Sequence, residues 1–327
     1  MGELLVLAHD DVRRLLPMEE CIELMAEVLA DLARGRVWQP LRFVVRPPEE
    51  GSLMGMMPAH RSEPRAAYGL KTVCIFPDNP AKGLDAHQGG VMLFDGEIGE
   101  LRALVDASAV TAIRTAAVSA VATRVLARPD ARELAVLGSG VQARAHLEAL
   151  AKVRPFASAR VWSRTAEHAR TFAAEAQAPF PVEAVESAEA AVRGADVVVT
   201  ATSAREPVVE RGWLAPGAHV NAVGSSISTT RELDAATVSA AALFADSRES
   251  LVNESGDYLF AVEEDGIGPD HIRAELGEVL IGSRNGRSSA GELTVFKSLG
   301  LAAEDLAAAE HVYSRARAEG VGTAVPF

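Results

Sequence analysis

Two cysteines in a chain of 327 residues, Cys21 and Cys74, are too few and too far apart for a disulfide framework or a thiolate metal site. Packed thiols in a reducing compartment are the expectation. An excess of basic charge is also missing. The formal net charge is -13, which excludes the cationic face that a phosphate backbone requires and otherwise argues only for solubility. No apolar run reads as long as a membrane span, and the opening MGELLVLAHDD lacks the basic start and apolar core of a secretion signal. These absences leave a cytoplasmic protein, without nucleic-acid or membrane partners, as the expectation. What is present is an ordinary globular composition, 48% hydrophobic and 24% charged, in a chain long enough for one large or two ordinary domains.

The first hundred residues read as a helix followed by strands. Cys21, Leu24, Met25, Val28, Leu29 and Leu32 recur at helical spacing after Pro17, and Gly35 supplies a stop. LRFVVR, GSLMGMMPA, YGLKTVCIF and GGVMLFDGEIGELRALV read as strands, the last a hairpin turning at Asp95-Gly96. An alanine-rich helix then starts at Asp106, its expected N-cap. From about residue 133 short apolar strands alternate with helices, the pattern of a parallel, doubly wound α/β sheet. The tail from VFKSLG onward reads as one long helix that returns to the N-terminal part. The expected fold is a Rossmann-type doubly wound parallel sheet plus a mixed α+β domain. The expected boundaries are 1–115 with 304–327 for the outer domain and 116–303 for the inner one.

Gly138-Ser139-Gly140-Val141-Gln142-Ala143 stands after a strand and before a helix, where a dinucleotide pyrophosphate would meet free N–H groups. The alternative is a glycine turn between packed elements. At the end of the following strand, where an NAD site carries an acidic residue, the chain has Ser163-Arg164-Thr165. A guanidinium suits a 2′-phosphate, so NADP(H) is favoured and NAD(H) allowed, the alternative being a solvated surface arginine. Three cations interrupt apolar segments, namely Arg42, Lys71 and Arg114. Each alone would read as a snorkelling or ion-paired residue. Together they suggest a clamp for the carboxylate of an α-keto, α-imino or α-amino acid. His87, in DAHQGG, reads as a loop residue that either touches the cofactor or stabilises a turn.

WQPLRFVV, MMPAH, LKTVCIF, AHQGGVMLFD, RTAAVSAVAT, LGSGVQARAHLEAL, VWSRT, ESGD, AELGEV and TVFKSLGLAAED occur in an order that resembles the ornithine cyclodeaminase/mu-crystallin family over nearly the whole chain. The resemblance implies a Rossmann nucleotide domain and an outer domain that binds substrate and forms a homodimer. It implies that Arg42, Lys71 and Arg114 bind the substrate carboxylate and that Glu254 lines the substrate pocket; the alternative for Glu254 is a helix-capping carboxylate. Cofactor contacts are implied for His87, for the turn Gly138, Gly140, Val141 and Gln142, and for Ser163, Arg164 and Thr165. They are also implied for Ala201, Thr202 and Ser203, and for Val223 and Ser298. Cyclodeaminases and alanine dehydrogenases resemble one another in a Gly-x-Asp-x-x-x-Lys pattern that falls here on Gly224, Ser226 and Thr230. Both charged positions are lost, and ketimine-reducing members resemble this chain in a serine at the position of Ser226. A hydroxyl without a partner is no base, whereas reduction of a preformed imine needs only orientation, a hydride and a proton. The expectation is NAD(P)H-dependent reduction of small cyclic or N-substituted α-imino acids, with Lys71 and Ser226 relaying the proton. The alternatives are ornithine cyclodeaminase or alanine dehydrogenase activity, or non-catalytic binding of a small ligand.

Overall fold

The computed structural model describes residues 3–47 and 51–327. The chain divides into two compact units, Met1–Arg114 with Leu301–Phe327, and Thr115–Gly300.

Seven strands of the first unit come early in the chain: β1 (Glu3–Leu7), β2 (Val37–Trp38), β3 (Phe43–Val45), β4 (Leu53–Arg61), β5 (Ala67–Ile75), β6 (His87–Asp95) and β7 (Leu101–Asp106). β4 to β7 form an antiparallel meander, and β1 joins β7 in parallel. Along β5 burial alternates from Ala67 to Lys71, with Ala67, Gly69 and Lys71 buried, as period two demands when one sheet face is covered. The cover is the helix Ala302–Glu319. Gly69 allows its close approach, because a Cβ there would lie 3.0 Å from Leu306 Cδ1.

The second unit holds β8 (Glu133–Leu137), β9 (Ser158–Trp162), β10 (Val182–Ala184), β11 (Val197–Thr200), β12 (His219–Ala222), β13 (Ala242–Ala245), β14 (Ile272–Glu275) and β15 (Thr294–Lys297). Every pairing among them is parallel, in the order β10-β9-β8-β11-β12-β15-β13-β14. The central strands are buried throughout, as expected of a sheet covered on both faces. The order reverses between β8 and β11. A doubly wound sheet opens a ligand crevice at the carboxyl ends of such a strand pair. The last strand, β16 (Thr323–Pro326), returns to the first sheet antiparallel to β1.

Three expectations are corrected. The tail is not one helix: residues 294–297 are a strand between β12 and β13, and the helix begins only at Ala302. LRFVVR shortens to Phe43–Val45, so Arg42 stands just before a strand instead of inside one. Finally, the helix Ala107–Leu126 is long and apolar enough to cross a membrane. With 83% of its most apolar stretch buried in the fold, it is a core helix. Asp106 caps it as expected, its Oδ1 accepting from the Ala109 N–H at 2.8 Å.

Candidate active site

In the second unit the turn after β8 is shaped for a close neighbour. Gly138 has φ +116°, and a Cβ on it would sit 2.3 Å from the Ala201 carbonyl oxygen. The two switch-point loops therefore touch only because residue 138 is glycine. At Gly140, by contrast, a Cβ would meet open space, the room a pyrophosphate needs before the N-terminus of the helix Val141–Val153. Val141 is exposed, Gln142 half-buried and Ala143 fully buried against the sheet, which separates the ligand-facing turn from its packing residue. Ser139 donates its hydroxyl to Ser163 Oγ at 3.0 Å. Arg164 and Thr165 are exposed, and Arg164 has no ion pair among the described residues. Ser298 is buried, with its Oγ unpartnered among the described residues. A crevice at the switch point, an open helix start, an unengaged arginine and a buried idle hydroxyl fit a nicotinamide dinucleotide.

Buried charge that the sequence reading missed holds this crevice in shape. Glu232 is fully buried. Its carboxylate accepts from Thr200 Oγ1 at 2.7 Å, from the Thr202 N–H and Oγ1 at 2.6 Å each, and from the Gly224 N–H at 2.7 Å. One side chain thus ties the loop after β11 to the loop after β12. Burial pushes the Glu232 carboxyl above its ordinary range, and Lys297 opposes that push. Lys297 Nζ lies 2.9 Å from Asp257 Oδ2, with both side chains buried. Asp257 Oδ1 in turn accepts from the backbone N–H groups of Glu232 and Leu233 at 2.7 and 2.9 Å. Asp246 Oδ2 likewise takes the Leu299 and Gly300 N–H groups at 2.6 and 2.7 Å, fixing the turn that carries Ser298. Lys297 carried the same signal as Lys71, a cation in an apolar segment, but was hidden because VFK was read as helix, where lysine is ordinary.

The loop 224–231 is small-residue chemistry closed on itself. Ser225 is buried, its hydroxyl against both the hydroxyl and the carbonyl of Thr230. Gly256 admits the loop: a Cβ on it would overlap the Thr230 carbonyl at 1.9 Å. Ser226 is half-exposed and its hydroxyl has no partner among the described residues. Thr202 serves the Glu232 clamp, Val223 is buried and Ser203 is exposed. Glu254 ends the helix Arg248–Glu254, and the cap of the next helix is Ser255, whose Oγ accepts from Tyr258. A capping role for Glu254 is thereby corrected, and its half-buried carboxylate remains a candidate pocket group.

The first unit gathers the cations. Lys71 and Arg114 are 3% and 4% exposed, a burial that an isolated charge could not sustain. Lys71 Nζ lies 2.7 Å from Asp305 Oδ2. Arg114 donates from Nε to Asp305 Oδ1 at 3.0 Å and from a terminal nitrogen to Glu304 Oε2 at 2.7 Å. Burial lowers the Lys71 ammonium to about 8; Asp305 resists this, while Arg114 and Arg42 reinforce it. Arg42 therefore stands within electrostatic reach of Lys71, as does His87, whose imidazole is lowered by partial burial and by Lys71 against the pull of Asp85. His87 is the first residue of β6, not a loop residue. A cation whose proton is lost near pH 8, beside a permanent guanidinium, can both bind a carboxylate and give up a proton. Lys71 is one of four lysines in the chain.

The sequence matches the model of the ornithine cyclodeaminase/mu-crystallin family over residues 3–320. It is 43% identical to the ketimine reductase mu-crystallin of Mus musculus over 279 residues, 85% of each chain. It is 37% identical to the Δ1-pyrroline-2-carboxylate reductase of Bacillus cereus over 327 residues, covering 99% of this chain and 100% of that one. The structure of Thermococcus litoralis Δ1-pyrroline-2-carboxylate reductase in complex with NADH and L-proline is similar at a TM-score of 0.94 and 38% identity, covering 98% of this chain and 100% of that one.

Proposed function

The chain belongs to the ornithine cyclodeaminase/mu-crystallin family, and on that premise we propose that it is an NAD(P)H-dependent reductase of small cyclic or N-substituted α-imino acids. Δ1-pyrroline-2-carboxylate and Δ1-piperideine-2-carboxylate are its first candidate substrates. The observation that carries this reading over deamination is the loop 224–230, whose side chains offer hydroxyls and no ionisable group. Drawing ammonia from an amino acid calls for a base at the amine. An imine arrives already oxidised. The bound nucleotide supplies the hydride to the C=N carbon. Arg114, Arg42 and Lys71 hold the substrate carboxylate. The Lys71 ammonium supplies the proton that the nitrogen needs. Initial rates of NADPH oxidation with each cyclic imino acid, set beside the rates of ammonia release and proline formation from ornithine with NAD, test the reading. Faster turnover of ornithine than of either imine would sink it.

NADP(H) is the preferred nucleotide in this proposal, supported by the exposed and unengaged Arg164 in place of an acidic residue. A charge-assisted contact is worth about 1.5–3 kcal/mol, so Arg164→Ala should raise the KM for NADPH roughly 10- to 150-fold and leave that for NADH nearly unchanged. Equal effects on the two would refute the assignment.

A homodimer is proposed from the outer face of the first sheet. Cross-strand register places Val45 beside Met54, Tyr68 beside Phe94, and Leu70 and Leu104 both beside Met92, with Val45, Tyr68 and Leu104 exposed at 54%, 50% and 38%. A continuous apolar face of this kind is costly in water, and a second copy would cover it with its own equivalent. Light scattering should return twice the 34.5 kDa chain mass, and Tyr68→Asp with Leu104→Asp should halve it. A monomeric wild type would contradict the proposal.

A further inference from the structure

We propose that Asp305 is a positioning residue for the reduction: one carboxylate that bridges Lys71 and Arg114 and fixes where, and in which charge state, the lysine meets the substrate. The inference rests on the reading of Lys71 as proton donor.

The geometry divides the labour between two neighbouring carboxylates at the start of the helix Ala302–Glu319. Glu304 accepts from Arg114 and also from the Leu301 N–H at 3.2 Å, closing the helix start. Asp305 touches both cations, Oδ2 at 2.7 Å from Lys71 Nζ and Oδ1 at 3.0 Å from Arg114 Nε. It is 1% exposed, so no water shares its oxygens freely. A lysine side chain has four methylene rotors, and a carboxylate pinned by a rigid guanidinium gives its tip a single anchor. The charged groups that act on Lys71 come from several elements. Asp305 comes from the covering helix, where the neighbouring Glu304 holds Arg114, and Arg114 from the helix Ala107–Leu126. Arg42 stands ahead of β3, and His87 begins β6. Cys21, from the helix Met18–Ala33, borders Arg114 and is kept a neutral thiol by burial. Burial, Arg114 and Arg42 all favour loss of the lysine proton, and Asp305 opposes them. Without Asp305 the donor would reach the substrate already deprotonated at the pH where the wild type still holds its proton.

The four lysines make a direct test feasible. The full chain with bound NADP+ is labelled with 13C,15N-lysine, and the Lys71 signal is assigned by its loss in Lys71→Arg. In Asp305→Asn, nearly the same shape without the charge, its titration should move down by roughly 1–2 pH units. The kcat at pH 8 should then fall roughly 5- to 50-fold as the ammonium fraction shrinks and recover toward pH 6, where Lys71 is again charged and KM for the imino acid is not raised, since a negative charge has left the anion site. Asp305→Ser is read in the same way should the asparagine variant fold poorly. An unmoved Lys71 titration, or a loss of rate that persists at pH 6 with raised KM, would overturn the proposal. A titration shifted in Asp305→Asn, with a wild type that turns over no imine, would keep Asp305 at the cation pair and remove the reductase reading instead.

Discussion

Lys71→Met is expected to lower kcat/KM for a cyclic imino acid by roughly 10²–10⁴-fold, the range of a lost general acid, with nucleotide affinity unchanged. Methionine is chosen because its length keeps the inward face of β5 filled under the helix Ala302–Glu319. The variant loses the proton donor and one carboxylate ligand together, while Arg114 still neutralises Asp305, so the fold is retained. The sign of the pH effect follows from the lysine. Its proton is lost as pH rises through about 8, so the wild-type rate should fall above that pH, and Lys71→Met should lack this limb. Initial rates across pH, with nucleotide fluorescence as the binding control, check both points. A variant within tenfold of wild type would remove Lys71 from the chemistry.

Lys297→Met is expected to cost about 3–5 kcal/mol of stability, the penalty for leaving one partner of a buried pair without the other. Asp257 would keep its two backbone donors at Glu232 and Leu233 but lose the only cation within ion-pair distance among the described residues. The damage should also reach function. Those two N–H groups place Glu232, and Glu232 joins the Thr202 and Gly224 loops at the crevice. A lower urea midpoint should therefore appear together with weaker NADPH binding. A stability change under about 1 kcal/mol would mean that the pair is worth no more than a surface bridge.

The doubly wound sheet was legible because fully buried parallel strands write themselves as short apolar runs between helices, and residues 133 to 200 do so plainly. β15 was not legible. Four residues carry no usable period, and VFK runs on into alanine-rich helix. The three cations Arg42, Lys71 and Arg114 could be seen because lysine and arginine are conspicuous in apolar surroundings. Their partners could not: Glu304 and Asp305 open a helix, where acidic residues are ordinary, and only the fold brings them to β5. Glu232 and Asp257 escaped for a related reason. A carboxylate that accepts backbone N–H groups leaves no mark in a residue pattern. Ser226 was legible only through what the loop lacks, and the structure adds that Ser225 and Thr230 are occupied with each other while Ser226 is not.

The central claim is that a hydride reaches the carbon of a C=N bond held by its neighbouring carboxylate. Incubation of the protein with Δ1-pyrroline-2-carboxylate and NADPH deuterated at the transferring C4 position tests it in one mass spectrum. The account predicts proline carrying a single deuterium at its α-carbon. Proline without deuterium, or no proline from the imine while ornithine is converted, would contradict it.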